Sequence, residues 1–258
     1  MEPRRISSRD NALLQRVRKL VRDPGAYRQL GEVWLEGEHL CNALEARGGR
    51  AAHALIAETA WARPALAGLA ATAYDVVVVP DKLFGDLSAL PSPAGIGFLH
   101  ALPAAPSVDA GLASIVLDRV QDAGNVGSIL RSASALGVRQ VLALQGTAGL
   151  WSAKVLRAGM GAQFGMRLVE GLRLPDLDAL AIPWVATSPH AAAALPEAVL
   201  PSPCVWVFGH EGQGAAAELI ARCALTVRIP QPGGEESLNV AAAAAICLYE
   251  SARRAALL

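Results

Sequence analysis

The sequence predicts an α/β protein in two parts, a smaller leading α/β domain and a larger one built on a mostly parallel sheet. Three observations predict it. Short apolar, β-branched runs alternate with stretches of helical periodicity, the pattern of strands buried on both faces by crossover helices. A Pro- and Ala-rich stretch, Pro103-Ala104-Ala105-Pro106-Ser107, has linker composition and puts the domains at 1–102 and 112–258 with a linker at 103–111. Glycine-bearing corners follow three strands of the second domain, and such sheets bind ligands at the carboxyl ends of their strands.

In the first domain, Leu13, Leu14, Val17, Leu20 and Val21 recur at helical spacing and predict an amphipathic helix over 10–22, stopped by Asp23-Pro24-Gly25. Val33 to Leu35 reads as a strand, Gly37 to Ala46 as a helix, His53 to Ile56 as a strand and Thr59 to Gly68 as a helix. Val76 to Val79 is a buried strand ended by Pro80, Asp81 to Leu90 a helix and Ile96 to Ala101 a closing strand. In the second domain, Leu112 to Leu117 is a strand ending in Asp118, Asp122 to Asn125 a turn, and Val126 to Leu136 a helix stopped by Gly137. Strands follow at Val138–Leu144, Met166–Val169, Trp184–Thr187, Val205–Phe208 and Leu225–Ile229, with helices at Lys154–Ala158, Leu174–Leu180 and from Gly214 to Cys223. Past Pro230, Ser237 and Asn239 open an alanine-rich helical run reaching Tyr249.

Composition narrows the class. With 53% hydrophobic and 18% charged residues the chain is a folded protein rather than a disordered one. No apolar run approaches the roughly 18 residues of a membrane helix, and the first residues lack the apolar core of a signal peptide, so a cytoplasmic protein with no membrane partner is expected. Cys41, Cys204, Cys223 and Cys247 lie far apart without paired spacing, and the five histidines form no ligand pattern, so neither a disulfide framework nor a metal is expected. Net charge is zero, yet residues 1–30 carry eight basic residues against three acidic ones, the look of a localised phosphate contact or of a solvated helix face.

Each corner joins small residues to a few polar groups: Asn125 with Arg131 on one, Glu211 between Gly209 and Gly214 on another, Ser237 and Asn239 on the third. Glycines there leave room for a ligand or for close helix–strand packing. No Gly-x-Gly-x-x-Gly opens a helix after the first strand of either half, which sets aside a dinucleotide-binding oxidoreductase.

Asp118 to Ala133 resembles the first motif of the SpoU/TrmH family of RNA ribose methyltransferases, Gly209-His210-Glu211-Gly212-Gln213-Gly214 the second, and Ile229 to Val240 the third, in the same order and spacing. More loosely, Arg5 to Asn11 and Leu35 to Leu40 resemble the substrate-binding domain that many members carry. The resemblance implies a trefoil-knotted C-terminal domain, S-adenosyl-L-methionine as cofactor, a homodimer, and transfer of a methyl group to a ribose 2′-hydroxyl of RNA, ribosomal RNA before tRNA. A catalytically silent RNA-binding assembly factor is the other reading, against which stands the presence of all five polar residues Asn125, Arg131, Glu211, Ser237 and Asn239. By resemblance these five form the catalytic set, with Arg131 nearest the ribose, and the cofactor contacts fall at Gly209, Gly214, Ile229, Leu238 and Asn239. A guanidinium stays protonated, so Arg131 is expected to hold the ribose and stabilise developing alkoxide rather than to act as a base. His210 reads as a bystander. The chain departs from the family pattern at Ala123, where proline is usual, at Gln231, where methionine is usual, and at Gly159 and Ala241, where serine is common.

Overall fold

The computed structural model describes residues 2–233 and 237–255, and these divide into two compact units, 1–104 with 151–164, and 105–150 with 165–258. The segment 151–164, inside the stretch expected to form the second domain, packs with the first unit instead.

The first unit runs β1 (Arg4–Arg5), α1 (Ala12–Arg22), α2 (Ala26–Leu30), β2 (Glu32–Glu36), α3 (Glu38–Glu45), β3 (His53–Ala57), α4 (Glu58–Trp61), α5 (Pro64–Ala70), β4 (Asp75–Val79), α6 (Asp81–Gly85) and β5 (Ile96–Ala101). Its mixed sheet has the order β1-β4-β3-β5-β2, parallel across β1, β4 and β3 and antiparallel across β3, β5 and β2. The helix expected over Thr59–Gly68 is two helices, because Pro64 starts a new one at its first turn. The helix expected to reach Leu90 ends at Gly85. The leading arginines are matched in part by carboxylates of their own unit: Arg4 with Asp75, Arg5 with Glu58, Arg9 with Asp86 and Arg16 with Glu32. Half of the eight basic residues in this leading segment are therefore matched by a carboxylate in space.

The returning segment supplies α8 (Ala153–Gly159), which lies against β2 and α1. Arg157 faces the carboxylate of Glu36 across 3.7 Å, and that carboxylate is almost wholly buried. Gly159 leaves the space that Gln163 fills, since a Cβ there would meet Nε2 and Oε1 of Gln163 at 2.8 Å.

The second unit runs β6 (Ser114–Asp118), α7 (Ala123–Ala135), β7 (Gln140–Leu144), β8 (Arg167–Leu172), β9 (Trp184–Thr187), β10 (Ala193–Ala194), β11 (Val205–Gly209), α9 (Ala217–Ile220), β12 (Leu225–Arg228) and α10 (Val240–Arg254). Seven strands form one parallel sheet in the order β10-β12-β9-β11-β6-β7-β8. The cores of β6, β7 and β11 are fully buried, as continuous Val, Ile, Leu and Phe runs require. The helix expected at Leu174–Leu180 is a single 3-10 turn over Leu174–Leu177. Helices α7 and α10 pack on each other. Val126, Ile129 and Leu130 of α7 are sealed from water, each contributing roughly 1.5–3 kcal/mol as an upper bound.

This order sets the site. The chain leaves β6 toward β7 and β8 on one side, then returns to β9, β11 and β12 on the other, and the crevice at such a reversal opens at the strands' carboxyl ends. Asp118 and Gly209 are directly paired there, so the first two corners are neighbours.

Candidate functional site

A buried clasp joins the corner after β6 to the corner after β11. Asp118 is 3% exposed and Arg119, at φ 55°, folds back so that Nε and Nη2 reach both carboxylate oxygens at 3.0 and 3.1 Å. Asp118 Oδ2 also accepts from the Ala216 N–H at 2.8 Å, and Arg119 Nη1 donates to Gln213 Oε1 at 3.2 Å. A buried carboxylate is tolerated only when paired and hydrogen-bonded in this way. Sequence reading treated Asp118 as the end of a strand; a charge closing a fully apolar run was the signal.

The corner after β11 is closed by its own backbone. His210 and Gly214 exchange both main-chain hydrogen bonds, at 3.1 and 2.8 Å, and Gly214 sits at φ +69°, a left-handed conformation suited to glycine. His210 Nδ1 accepts from the N–H groups of Gly212 and Gln213 at 3.0 and 3.3 Å, so this histidine builds the turn. A Cβ on Gly209 would lie 2.0 Å from the Ala215 nitrogen. The close approach that glycine permits here is therefore made by the loop itself.

Asp122 caps α7, its Oδ1 accepting from the Asn125 N–H at 2.8 Å. Asn125 thus stands in the helix's first turn, whereas the sequence placed it in a preceding turn at the cap. Asn239 caps α10, its Oδ1 accepting from Ala241 and Ala242 at 2.9 and 3.2 Å, and Ser237 lies before the helix. Because Oδ1 of Asn239 is committed to those donors, its Nδ2 points away and donates to Asn125 Oδ1 at 2.9 Å. Asn125 Nδ2 in turn donates to Glu211 Oε1 at 3.0 Å. A helix end and a carboxylate at opposite ends of the relay fix the orientation of both amides.

Glu211 also accepts from the N–H groups of Asp122 and Gln121, at 3.2 and 3.4 Å. Partial burial pushes its pKa up, but the Asn125 amide and the backbone donors outweigh that and hold it below the ordinary carboxylate range. It is an ionised, acceptor-only group at neutral pH.

The structure brings Asn125, Glu211 and Asn239 into one hydrogen-bonded line and leaves Arg131 and Ser237 outside it. Arg131 is exposed on α7 and, among the described residues, forms no hydrogen bond or ion pair. Two of the expected cofactor contacts, Ile229 and Leu238, line a cavity of about 90 Å³, together with Thr187 at the end of β9, Ser188 and Pro189 after it, and Gln231, Ser237 and Ala243. Gly209, Gly214 and Asn239 are not among its walls. Gly234, Glu235 and Glu236 of the third corner lie outside the described residues.

The model of the SpoU rRNA Methylase family matches residues 113–249, more than half of the chain. An uncharacterized tRNA/rRNA methyltransferase of Synechocystis sp. is 32% identical over 96% of this chain and 93% of its own length. The 23S rRNA (guanosine(2553)-2'-O)-methyltransferase RlmP of Bacillus subtilis is 34% identical over 52% of this chain, which spans only 56% of that relative. A crystal structure of an RNA 2'-O ribose methyltransferase superposes with a TM-score of 0.83 at 30% identity, covering 98% of this chain and 100% of the other.

Proposed function

Because the chain belongs to the SpoU rRNA methylase family, we propose that it transfers a methyl group from S-adenosyl-L-methionine to a ribose 2′-hydroxyl of RNA, ribosomal RNA before tRNA, in the cytoplasm. The observation that carries this reading is the relay from Asn239 through Asn125 to Glu211, with Arg131 exposed on the helix that carries Asn125 and without a partner among the described residues. When bound, the cofactor supplies an activated methyl group on a sulfonium.

The residues present fit that cofactor. The cavity walls at Ile229 and Leu238 suit a flat apolar body, and the buried Gln231 Oε1, without a hydrogen-bond partner among the described residues, asks for a donor. Gly209 and Gly214 serve by shaping the neighbouring loop. On the RNA side, Arg131 binds the ribose and its adjacent phosphate and stabilises negative charge growing on the 2′-oxygen. Its guanidinium stays protonated and so orients rather than accepts a proton. The relay holds the Asn125 amide in one orientation, and Ser237 adds a hydroxyl at the cavity wall.

Family resemblance further leads us to a trefoil knot around the last helix and to a homodimer. Support for the dimer comes from α10: Ile246 and Tyr249 are 41% and 53% exposed and join Leu136, Leu195, Pro196 and Ala245 in an apolar depression. Such a patch is the kind that marks an interface.

The test is single-turnover methylation of unmodified ribosomal RNA and, separately, tRNA, with the label mapped to its atom. Label on a ribose 2′-oxygen is expected, with the Arg131→Lys rate lower by at least about tenfold, since removing one oxyanion donor typically costs more. Label on a base, or a wild-type rate in Arg131→Lys, would refute the assignment.

A further inference from the structure

Gln231 follows the carboxyl end of β12 and lines the cavity beside Ile229 and Leu238. Its Oε1 is sealed from solvent and has no hydrogen-bond partner among the described residues. Leaving a buried acceptor unmade costs roughly 1–3 kcal/mol. An apolar side chain at this position would avoid that cost, so glutamine is costly here unless something else completes it.

The remaining surroundings say what completes it. Pro189, Ile229, Leu238 and Ala243 present apolar surface beside Thr187, Ser188 and Ser237, and a volume of about 90 Å³ corresponds to roughly six to nine water-sized spaces. That is room for one bicyclic heterocycle with a polar edge. A carboxamide offers an acceptor and a donor side by side. Adenine offers an exocyclic N–H and a ring nitrogen side by side, which is why glutamine reads adenine by a bidentate pair elsewhere.

Resting on the function proposed above, we infer that Gln231 is a specificity-determining residue of the cofactor pocket: its Oε1 accepts from the adenine 6-amino group and its Nε2 donates to an adjacent ring nitrogen. An apolar side chain there would offer no such pair, so this chain reads the base edge through the carboxamide. The expected consequence is a cofactor pocket stricter for the 6-amino group.

Calorimetric binding tests this without turnover. S-adenosylhomocysteine and its analogue lacking the 6-amino group are titrated into the wild-type protein, Gln231→Met and Gln231→Leu, each first shown to unfold in urea like the wild type. The wild type is expected to prefer the amino form at least about tenfold, and both variants to bring the ratio within about threefold. A ratio unchanged by the substitutions, or no preference in the wild type, overturns the assignment of Gln231 while leaving the methyltransferase reading standing. Failure of the wild type to bind S-adenosylhomocysteine overturns both.

Discussion

Asn125→Ala removes the middle of the relay, and the structure sets the size of the effect. Two hydrogen bonds go: Nδ2 to the Glu211 carboxylate and Oδ1 from Asn239 Nδ2. A bond to a charged group contributes roughly 1.5–3 kcal/mol and a neutral one roughly 0.5–1.5. Glu211 is exposed, so the first belongs at the low end or below it. The expected loss is about 2 kcal/mol at pH 7, measured by urea unfolding.

The pH dependence separates the two bonds. Glu211 has a depressed folded pKa, so its stabilising contribution is present above the unfolded value of about 4.3 and is lost as pH falls through the lower folded value. Asn125→Ala returns that pKa toward the ordinary range. The gap between wild type and variant is therefore widest near neutrality and narrows below about pH 4, leaving the Asn125–Asn239 bond. A double-mutant cycle with Asn239→Ala isolates that remainder at roughly 0.5–1.5 kcal/mol. A gap under about 0.5 kcal/mol at pH 7, or one that stays flat from pH 7 to pH 3, would show that the relay is not a stabilising unit.

Other changes test the frame around it. Gly209→Ala forces a Cβ to within 2.0 Å of the Ala215 nitrogen, and with backbone on the receiving side it is expected to cost about 3 kcal/mol or to displace the loop, read by urea unfolding and loss of cofactor affinity. Ala123→Pro puts proline at the first position of α7, behind an Asp122 whose φ −75° and ψ 119° suit a residue preceding proline; a gain of roughly 0.4–1 kcal/mol, or about 1–4 °C in Tm, is expected by calorimetry. Arg157→Met strands the buried Glu36 carboxylate and is expected to lose roughly 3 kcal/mol in urea unfolding, much of it restored by adding Glu36→Gln. Tyr249→Glu places a charge on the apolar face of α10, and light scattering is expected to find the proposed dimer for the wild type and monomer for the variant.

What was legible in the sequence followed from physics that acts locally. Continuous apolar runs such as Val76–Val79 and Val205–Phe208 form strands because only a doubly covered sheet buries both faces of such a run. Arg4–Arg5 and Ala193–Ala194 pair at sheet edges without any apolar run to mark them, so β1 and β10 were invisible. Pro64 was a readable stop that the periodicity on either side concealed. Asn125, Glu211 and Asn239 were singled out by motif, but their alignment depends on strand order, which brings residues 86 and 114 apart into contact. The pairing of the charged leading segment was illegible for the same reason: its partners, Asp75, Glu58 and Asp86, arrive from remote parts of the chain.

The cap of the last helix gives the relay a place in time as well as in space. Asn125 and Glu211 leave the ribosome well before Asn239, and contacts that close such long loops form late. A nascent chain therefore presents a carboxylate and one amide in waiting, with the second amide still to come. Only the docking of α10 completes the line, so the finished relay reports that the last helix of the second unit has been synthesised and packed.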